Sequence, residues 1–318
     1  DRKNNHLSDG EIQKLSVLLK MSADNLKKKI EENKTSFGAI YLARDVGLAI
    51  ATEIKEHQND FPGIEVEVQP LRVYPYGKSG AQMLGYVGEA GPEDRDSDGQ
   101  PYKSSTLIGR AGLESQYNRY LEGKNGSHVI EVNAAGQPVH YEEGDSIVPG
   151  HNIRLTVDAN LQNAAEKAVE EQMDILHGMG IFPTGASVVA VDPNNGAVLA
   201  MVSWPSFDPN QFSRGISSTE WNKILNDNNH PMQNRNISSM YPPGSTFKLI
   251  TGAAALEAKV VTPEEKIYDN GKHWLIDKRN SEGEAFGWID FYDAMAKSDN
   301  VYFYEMGRRI GIERLASM

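Results

Sequence analysis

The stretch Tyr241-Pro242-Pro243-Gly244-Ser245-Thr246-Phe247-Lys248 decides how the rest of the chain is read. Two prolines and a glycine force a turn, and an apolar run follows that reads as helix to about Ala258. A serine and a lysine three apart on a helix share one face, so the ammonium can reach the hydroxyl. The serine falls at the helix start, where unpaired N–H groups and the helix dipole favour developing negative charge. Ser245 to Lys248 is the only Ser-x-x-Lys in the chain. Taken alone, the tetrapeptide is as well explained by a serine N-cap beside a solvated lysine.

A second motif changes the balance. Ser298-Asp299-Asn300 is the only Ser-x-Asn in the chain. It lies between two apolar stretches that read as helical, Trp288 to Lys297 and Val301 to Arg309. A short polar break between buried helices can present a hydroxyl and an amide to a cleft; its plainer use is as a helix N-cap. In this order the two motifs match a set associated with β-lactamases and penicillin-binding proteins. The octet Tyr241 to Lys248 resembles the active-site segment of class B penicillin-binding proteins, the elongation-type group in particular.

The resemblance runs from about Arg72 to the end of the chain. Arg72, Tyr74 and Pro75 resemble an Arg-x-Tyr-Pro signature, and Gly85 to Gly88 a Gly-Tyr-Val-Gly segment. Ile108 to Glu114, followed by Tyr117, resemble a Gly-Arg-x-Gly-Leu-Glu helix of that family's non-catalytic pedestal. Leu155 to Leu161, Asp192 to Gly196 and Ser206 to Asn210 are similar to its transpeptidase domain. One feature departs. The family's third motif, Lys-Thr/Ser-Gly, lies well downstream of Ser-x-Asn, whereas the only such triplet here is Lys78-Ser79-Gly80, read as a turn. The expectation is a chain that stops before that motif.

The resemblance implies an α+β fold: a mixed α/β pedestal over 1–149, then an incomplete transpeptidase domain over 150–318, an antiparallel sheet flanked by helices. It implies that Ser245 is the nucleophile, Lys248 its base, Ser298 a proton relay and Asn300 a holder of substrate amides. The reaction is then acyl transfer from a D-Ala-D-Ala stem peptide through an acyl-Ser245, with β-lactams as mimics. No metal or organic cofactor is called for. Implied partners are stem peptides, β-lactams, a membrane glycosyltransferase and cell-elongation proteins. The implied place is the extracytoplasmic face of a bacterial membrane, with an N-terminal anchor outside this sequence. Two other readings stay open. One is a β-lactamase or β-lactam sensor, against which the pedestal-like region argues; the other is a non-catalytic scaffold.

Composition narrows the classes. A length of 318 residues suffices for two domains. A net charge of −12 argues against a general nucleic-acid binder. There is no cysteine, which excludes disulfides and thiolate metal sites. No apolar run approaches the roughly 18 residues of a membrane span, and the polar N-terminus is not a signal peptide. Asp269, His273 and Asp277 lie close in sequence and could suggest zinc, but with no cysteine and no His-x-x-x-His pair metal chemistry is not favoured. Arg214 and Arg235 are candidates for substrate carboxylates, or solvated charges.

Local patterns complete the layout. Ser8 or Asp9 and then Ser22 cap two N-terminal helices, and Asp45 to His57 reads as a third. Ile64 to Val68 alternates like a strand. Glu93 to Gln100 reads as an acidic surface loop. Val129 to Tyr141, broken at Gly136, reads as a hairpin, and Glu142 to Gly150 as a linker. Ile153 to Val157 reads as a strand, and Asp158 caps a helix to about Leu176. Ala186 to Val191 and Ala197 to Val202 form a hairpin across Asn195-Gly196. Arg110 and Glu114, four apart, suggest one helix face used for packing. Tyr241, Trp288, Phe291, Tyr302 and Phe303 read as core.

Overall fold

The computed structural model describes residues 7–32, 41–96, 98–102, 106–124, 126, 128–132 and 138–317. Packing divides the chain into two compact units, Asp1–Ser239 and Met240–Met318. Both mix helices with antiparallel strand pairs, and every sheet among the described residues is two-stranded.

In the first unit, Ser8 caps the helix Asp9–Leu19, accepting from the Glu11 N–H while the Glu11 carboxylate accepts from the Ser8 N–H. This reciprocal box satisfies two orphan donors. Ile12 and Leu15 then bury against Leu26 of the helix Ala23–Glu32, Ile54 of the helix Gly47–Glu56, and Phe61. The third helix starts at Gly47, two residues later than expected. Asp45 (φ 52°) and Gly47 (φ 79°) both turn left-handed there, which a helix cannot continue through. Ile64 to Val68 is not a strand. Ile64 and Val66 pack on the helical cluster, so burial rather than a ladder uses the alternation.

The strands Val87–Glu89 and Leu107–Gly109 pair antiparallel. Two glycines explain the signatures around them. A Cβ on Gly85 would sit 1.8 Å from the Ala111 carbonyl oxygen, and one on Gly112 2.5 Å from that of Met83. Both also have positive φ, so only glycine permits this approach. The helix here is Gly112–Gln116, which corrects the reading of Arg110 and Glu114 as one face. Glu114 is buried and accepts from Arg72 at 2.6 and 2.9 Å and from the Tyr74 hydroxyl at 3.2 Å. Arg110 pairs instead with Asp94 at 2.8 Å. In the acidic loop, Asp96 accepts from the N–H groups of Asp98 and Gln100, so its charge shapes a turn. His128–Val132 and Pro138–Glu143 pair as a hairpin; Gly136, its expected break, lies outside the described residues.

Asp158 caps the helix Ala159–Gly178, accepting from the N–H groups of Asn160 and Leu161. Val169 and Met173 of this helix bury against Val202 of the strand Val198–Trp204. That strand pairs with Ala186–Val191 across a turn in which the Asp192 carboxylate accepts from Asn194 N–H and Gly196 has φ 75°. Ile153 to Val157 runs beside Val198 through one Thr156 hydroxyl bond but forms no ladder. The Gln162 amide takes up Met201 instead, at 2.7 and 3.0 Å. The polar, weakly periodic span Trp204 to Met240 holds three short helices, Asn210–Ser213, Ser218–Leu225 and Arg235–Ser238. Arg235 is buried and donates to the carbonyls of Thr184, Asn229 and His230. Arg214 meets Asp45 at 3.2 Å. Lys78-Ser79-Gly80 is a turn, with Gly80 N–H donating to Glu166.

The second unit packs Ala254 and Ala255 of the helix Phe247–Glu257 against Tyr302, Phe303 and Met306 of the helix Asn300–Ile310. The strand pair Ile267–Asp269 and Gly287–Ile289 adds Ile289 to this core. The segment expected as one helix from Trp288 is therefore a strand and then the helix Phe291–Ala296, separated by Asp290 capping Asp293. Trp288 (68% exposed) and Tyr241 (55%) are not core. No described helix is long and apolar enough to cross a membrane.

Candidate active site

Gly244 has φ 57°, and the chain from Gly244 to Thr246 forms a tight 3-10 turn that runs directly into the helix Phe247–Glu257. The Thr246 hydroxyl donates to the Pro243 carbonyl at 2.6 Å, which pins the turn. Ser245 is exposed in that turn, while Lys248 is buried in the first turn of the helix proper. The Pro-Pro-Gly break thus separates two neighbours on one face by their solvation.

The Lys248 amine reaches the second motif. Its Nζ lies 2.5 Å from the Ser298 carbonyl oxygen, 3.0 Å from the Ser298 hydroxyl and 2.6 Å from the Asn300 Oδ1. All three bonds run to Ser298 and Asn300, and none to the Ser245 hydroxyl. Ser298 adopts φ 56°, a left-handed turn unusual for a side-chain-bearing residue, and this bend brings both its carbonyl and its hydroxyl to the amine. Burial lowers the Lys248 pKa from its ordinary value, and the nearby Asp299 charge opposes that shift without cancelling it. Among the described residues, no carboxylate makes a direct pair with the amine.

Asp299 is fully buried and caps the helix Asn300–Ile310, accepting from Tyr302 N–H at 3.0 Å. Among the described residues its second oxygen has no hydrogen-bond partner, and burial raises its pKa. A residue not flagged by sequence reasoning is Asn280. Its Oδ1 accepts from the N–H groups of Asn300 and Val301 at 2.8 and 3.1 Å. Nothing local marks it, because its partners are distant in sequence.

The zinc-like trio does separate work. Asp269 accepts from Gly271 N–H, Phe286 N–H and the Asn280 amide. The His273 Nδ1 accepts from Leu275 N–H, and its Nε2 faces Glu305 at 3.2 Å. Asp277 pairs with Lys272 on the surface. Among the described residues, no group of histidines and carboxylates is placed to hold a metal.

The Ser-x-x-Lys helix start is thus bonded through Lys248 to the Ser-x-Asn turn. The model of the penicillin-binding protein dimerisation domain matches residues 2–155, and that of the penicillin-binding protein transpeptidase domain matches residues 186–318. The peptidoglycan D,D-transpeptidase MrdA of Escherichia coli strain K12 is 34% identical over 270 residues, covering 82% of this chain and 41% of that protein. A Helicobacter pylori PBP2, solved in complex with MreC, matches with TM-score 0.81 and 26% identity over 99% of this chain and 58% of its own. A Pseudomonas aeruginosa PBP2 in complex with WCK 5153 matches with TM-score 0.61 and 32% identity over 79% of this chain and 50% of its own. The chain belongs to the class B penicillin-binding proteins, in the elongation-type group. It spans less than half the length of the E. coli relative.

Proposed function

We propose that the chain contributes the acylating serine of a peptidoglycan D,D-transpeptidase. The observation that carries this reading is the Lys248 amine, buried three residues after Ser245 and bonded, among the described residues, to neutral oxygens of Ser298 and Asn300. An ammonium so placed is poorly compensated, and burial shifts the balance toward the neutral amine. In that form Nζ keeps two N–H bonds, to the Ser298 carbonyl and Asn300 Oδ1, and has one lone pair for a proton. A serine hydroxyl is a weak nucleophile until a base takes that proton.

The proposed sequence balances as follows. Ser245 Oγ bonds to the penultimate D-Ala carbonyl carbon as its proton passes to Lys248. The Ser245 backbone N–H, at the helix start, is one donor to the developing oxyanion. The C–N bond breaks, and the terminal D-Ala amine leaves with a proton delivered through the Ser298 hydroxyl. An amine of a neighbouring stem peptide then attacks the acyl-Ser245 and releases the serine. A β-lactam enters the same first step and stays attached, because its ring-opened amine remains tethered. Asn300, with Nδ2 already donating to the Arg279 carbonyl at 3.2 Å, is the proposed amide contact for substrate.

We also propose the domain division 1–149 and 150–318, which the matches at residues 2–155 and 186–318 support. Cell-elongation proteins and a membrane glycosyltransferase are the proposed partners; the H. pylori relative in complex with MreC supports the former. The proposed location is the extracytoplasmic face of a bacterial membrane, with an anchor. The test is fluorescent-penicillin labelling with the adduct located by mass spectrometry. The adduct is expected on Ser245, with none formed by Ser245→Ala. Labelling of Ser245→Ala, or an adduct elsewhere, would overturn the assignment.

A further inference from the structure

Asn300 is held from two sides by one short segment. The Asn280 Oδ1 takes the Asn300 and Val301 N–H groups, and the Arg279 carbonyl takes the Asn300 side-chain amide. Asn280 is itself buried and fixed: its amide nitrogen donates to Asp269 Oδ2 at 2.8 Å and to the Glu284 carbonyl at 3.0 Å, and its backbone N–H donates to Gly271. Asp269, 1% exposed, is in turn pinned by two backbone N–H groups. A polar chain therefore runs from the strand Ile267–Asp269 through Asn280 to Asn300, and from Asn300 Oδ1 to the Lys248 amine. Asp299 takes the Tyr302 N–H, and Asn280 takes the two N–H groups ahead of it, so Asn280 completes the cap of this helix as well as touching Asn300. What Asn280 adds is a fixed position and direction for Asn300.

We infer that Asn280 is a positioning residue for acyl transfer: it holds Asn300, and through Asn300 the Lys248 amine, in the geometry that deprotonates Ser245. This rests on the transpeptidase reading above. The amide is suited to the role because it accepts toward Asn300 and donates toward Asp269 at once.

The test is stopped-flow β-lactam acylation on the native protein, resolving reversible binding, the first-order acylation constant and the labelling endpoint. Four proteins are compared: unsubstituted, Asn280→Ala, Asn300→Ala and the double variant. Asn280→Ala is expected to lower the acylation constant by about ten- to a hundredfold, with the binding constant and endpoint unchanged, because misplacement of a base costs rate. In the Asn300→Ala background the further loss should be under about threefold, since the two residues act in one path. An unchanged constant in the single variant, or an equal loss in both backgrounds, would overturn the inference. A purely structural residue would lower the endpoint and leave the constant alone.

Asn280→Asp decides the matter if the alanine variant does not fold. It keeps the oxygen facing Asn300 but sets a carboxylate against Asp269, whose charge, with that of Lys248, already acts on Asp299. Two carboxylates sharing a site raise one pKa, so a shared proton restores the bond as pH falls. The rate ratio to the unsubstituted protein should rise toward unity from about pH 8 to about pH 5.5; a flat ratio would count against the role. If the unsubstituted protein is not labelled at Ser245, the transpeptidase reading falls and this inference with it. If it is labelled, and Asn280→Ala matches it in rate, only the positioning role falls.

Discussion

Glu114 and Lys248 are both charged side chains taken out of water, and the two regions handle them differently. In the pedestal, Glu114 receives a bidentate guanidinium from Arg72 and a hydroxyl from Tyr74. Its charge is matched by an opposite one in fork geometry. In the second unit, Lys248 receives a carbonyl, a hydroxyl and an amide oxygen, all neutral. Hydrogen bonding is complete but charge is not, and its pKa falls. A paired buried ion fixes a fold; one without a charged partner holds its proton less tightly, the direction a general base requires. The difference separates structural from chemical residues more sharply than burial does.

The strongest way to break this comparison is to remove each centre. Lys248→Ala should slow penicillin acylation of Ser245 by roughly a hundred- to ten-thousandfold, the usual range for general-base assistance. Rapid-quench labelling measures it, and a loss under tenfold would return Lys248 to the ranks of packing residues. Glu114→Ala should leave that constant unchanged per folded molecule and lower stability instead. The Arg72 side chain is 41% exposed and can be rehydrated, so the loss should be about 1–3 kcal/mol, read from denaturant unfolding.

Titration sharpens the contrast. The second unit has its own matched acid: Glu305, bonded to Arg308, Arg309, His273 and Trp274. The Arg308 bond, ahead of the others, holds its pKa down at about 2 against an ordinary 4.5. Its folded pKa lies below the unfolded one, so its contribution is complete above pH 4.5 and is lost as pH falls toward about 2. Acid unfolding of Glu305→Gln should be less steep across that window. For Lys248 the sign concerns rate. Burial disfavours its protonated form, so acylation should rise with pH and level off below the ordinary lysine value of 10.5. A profile still climbing at that pH would deny Lys248 the role of base. The smallest effect belongs to Arg214, more than half exposed beside Asp45. Arg214→Ala should change stability by no more than about 0.5 kcal/mol, since exposed ion pairs contribute little.

The sequence by itself determined the features whose physics is local. Ser8 and Asp158 cap helices because a hydroxyl or carboxylate can reach an N–H two or three residues on. Asp192 to Gly196 turns a hairpin because its side chains bond their own backbone and Gly196 accepts positive φ. Pro242-Pro243-Gly244 sets Ser245 at a helix start for the same reason. Tertiary structure decided whatever depended on a distant partner. Ile64 to Val68 and Ile153 to Val157 alternate like strands, yet form no ladder, since a ladder needs a neighbour whose edge is free. Trp288 looks like core and stands in solvent, because the strand pairing of Gly287–Ile289 turns it outward. Arg235 looks like a substrate contact and is spent on three carbonyls. The Ser-x-x-Lys and Ser-x-Asn motifs were legible as types, but that Lys248 bonds Ser298 and Asn300, and that Asn280 stands behind Asn300, followed from chain segments meeting in space. Spacing along a chain specifies geometry only within a turn or two; beyond that, packing of the core chooses which polar groups face one another.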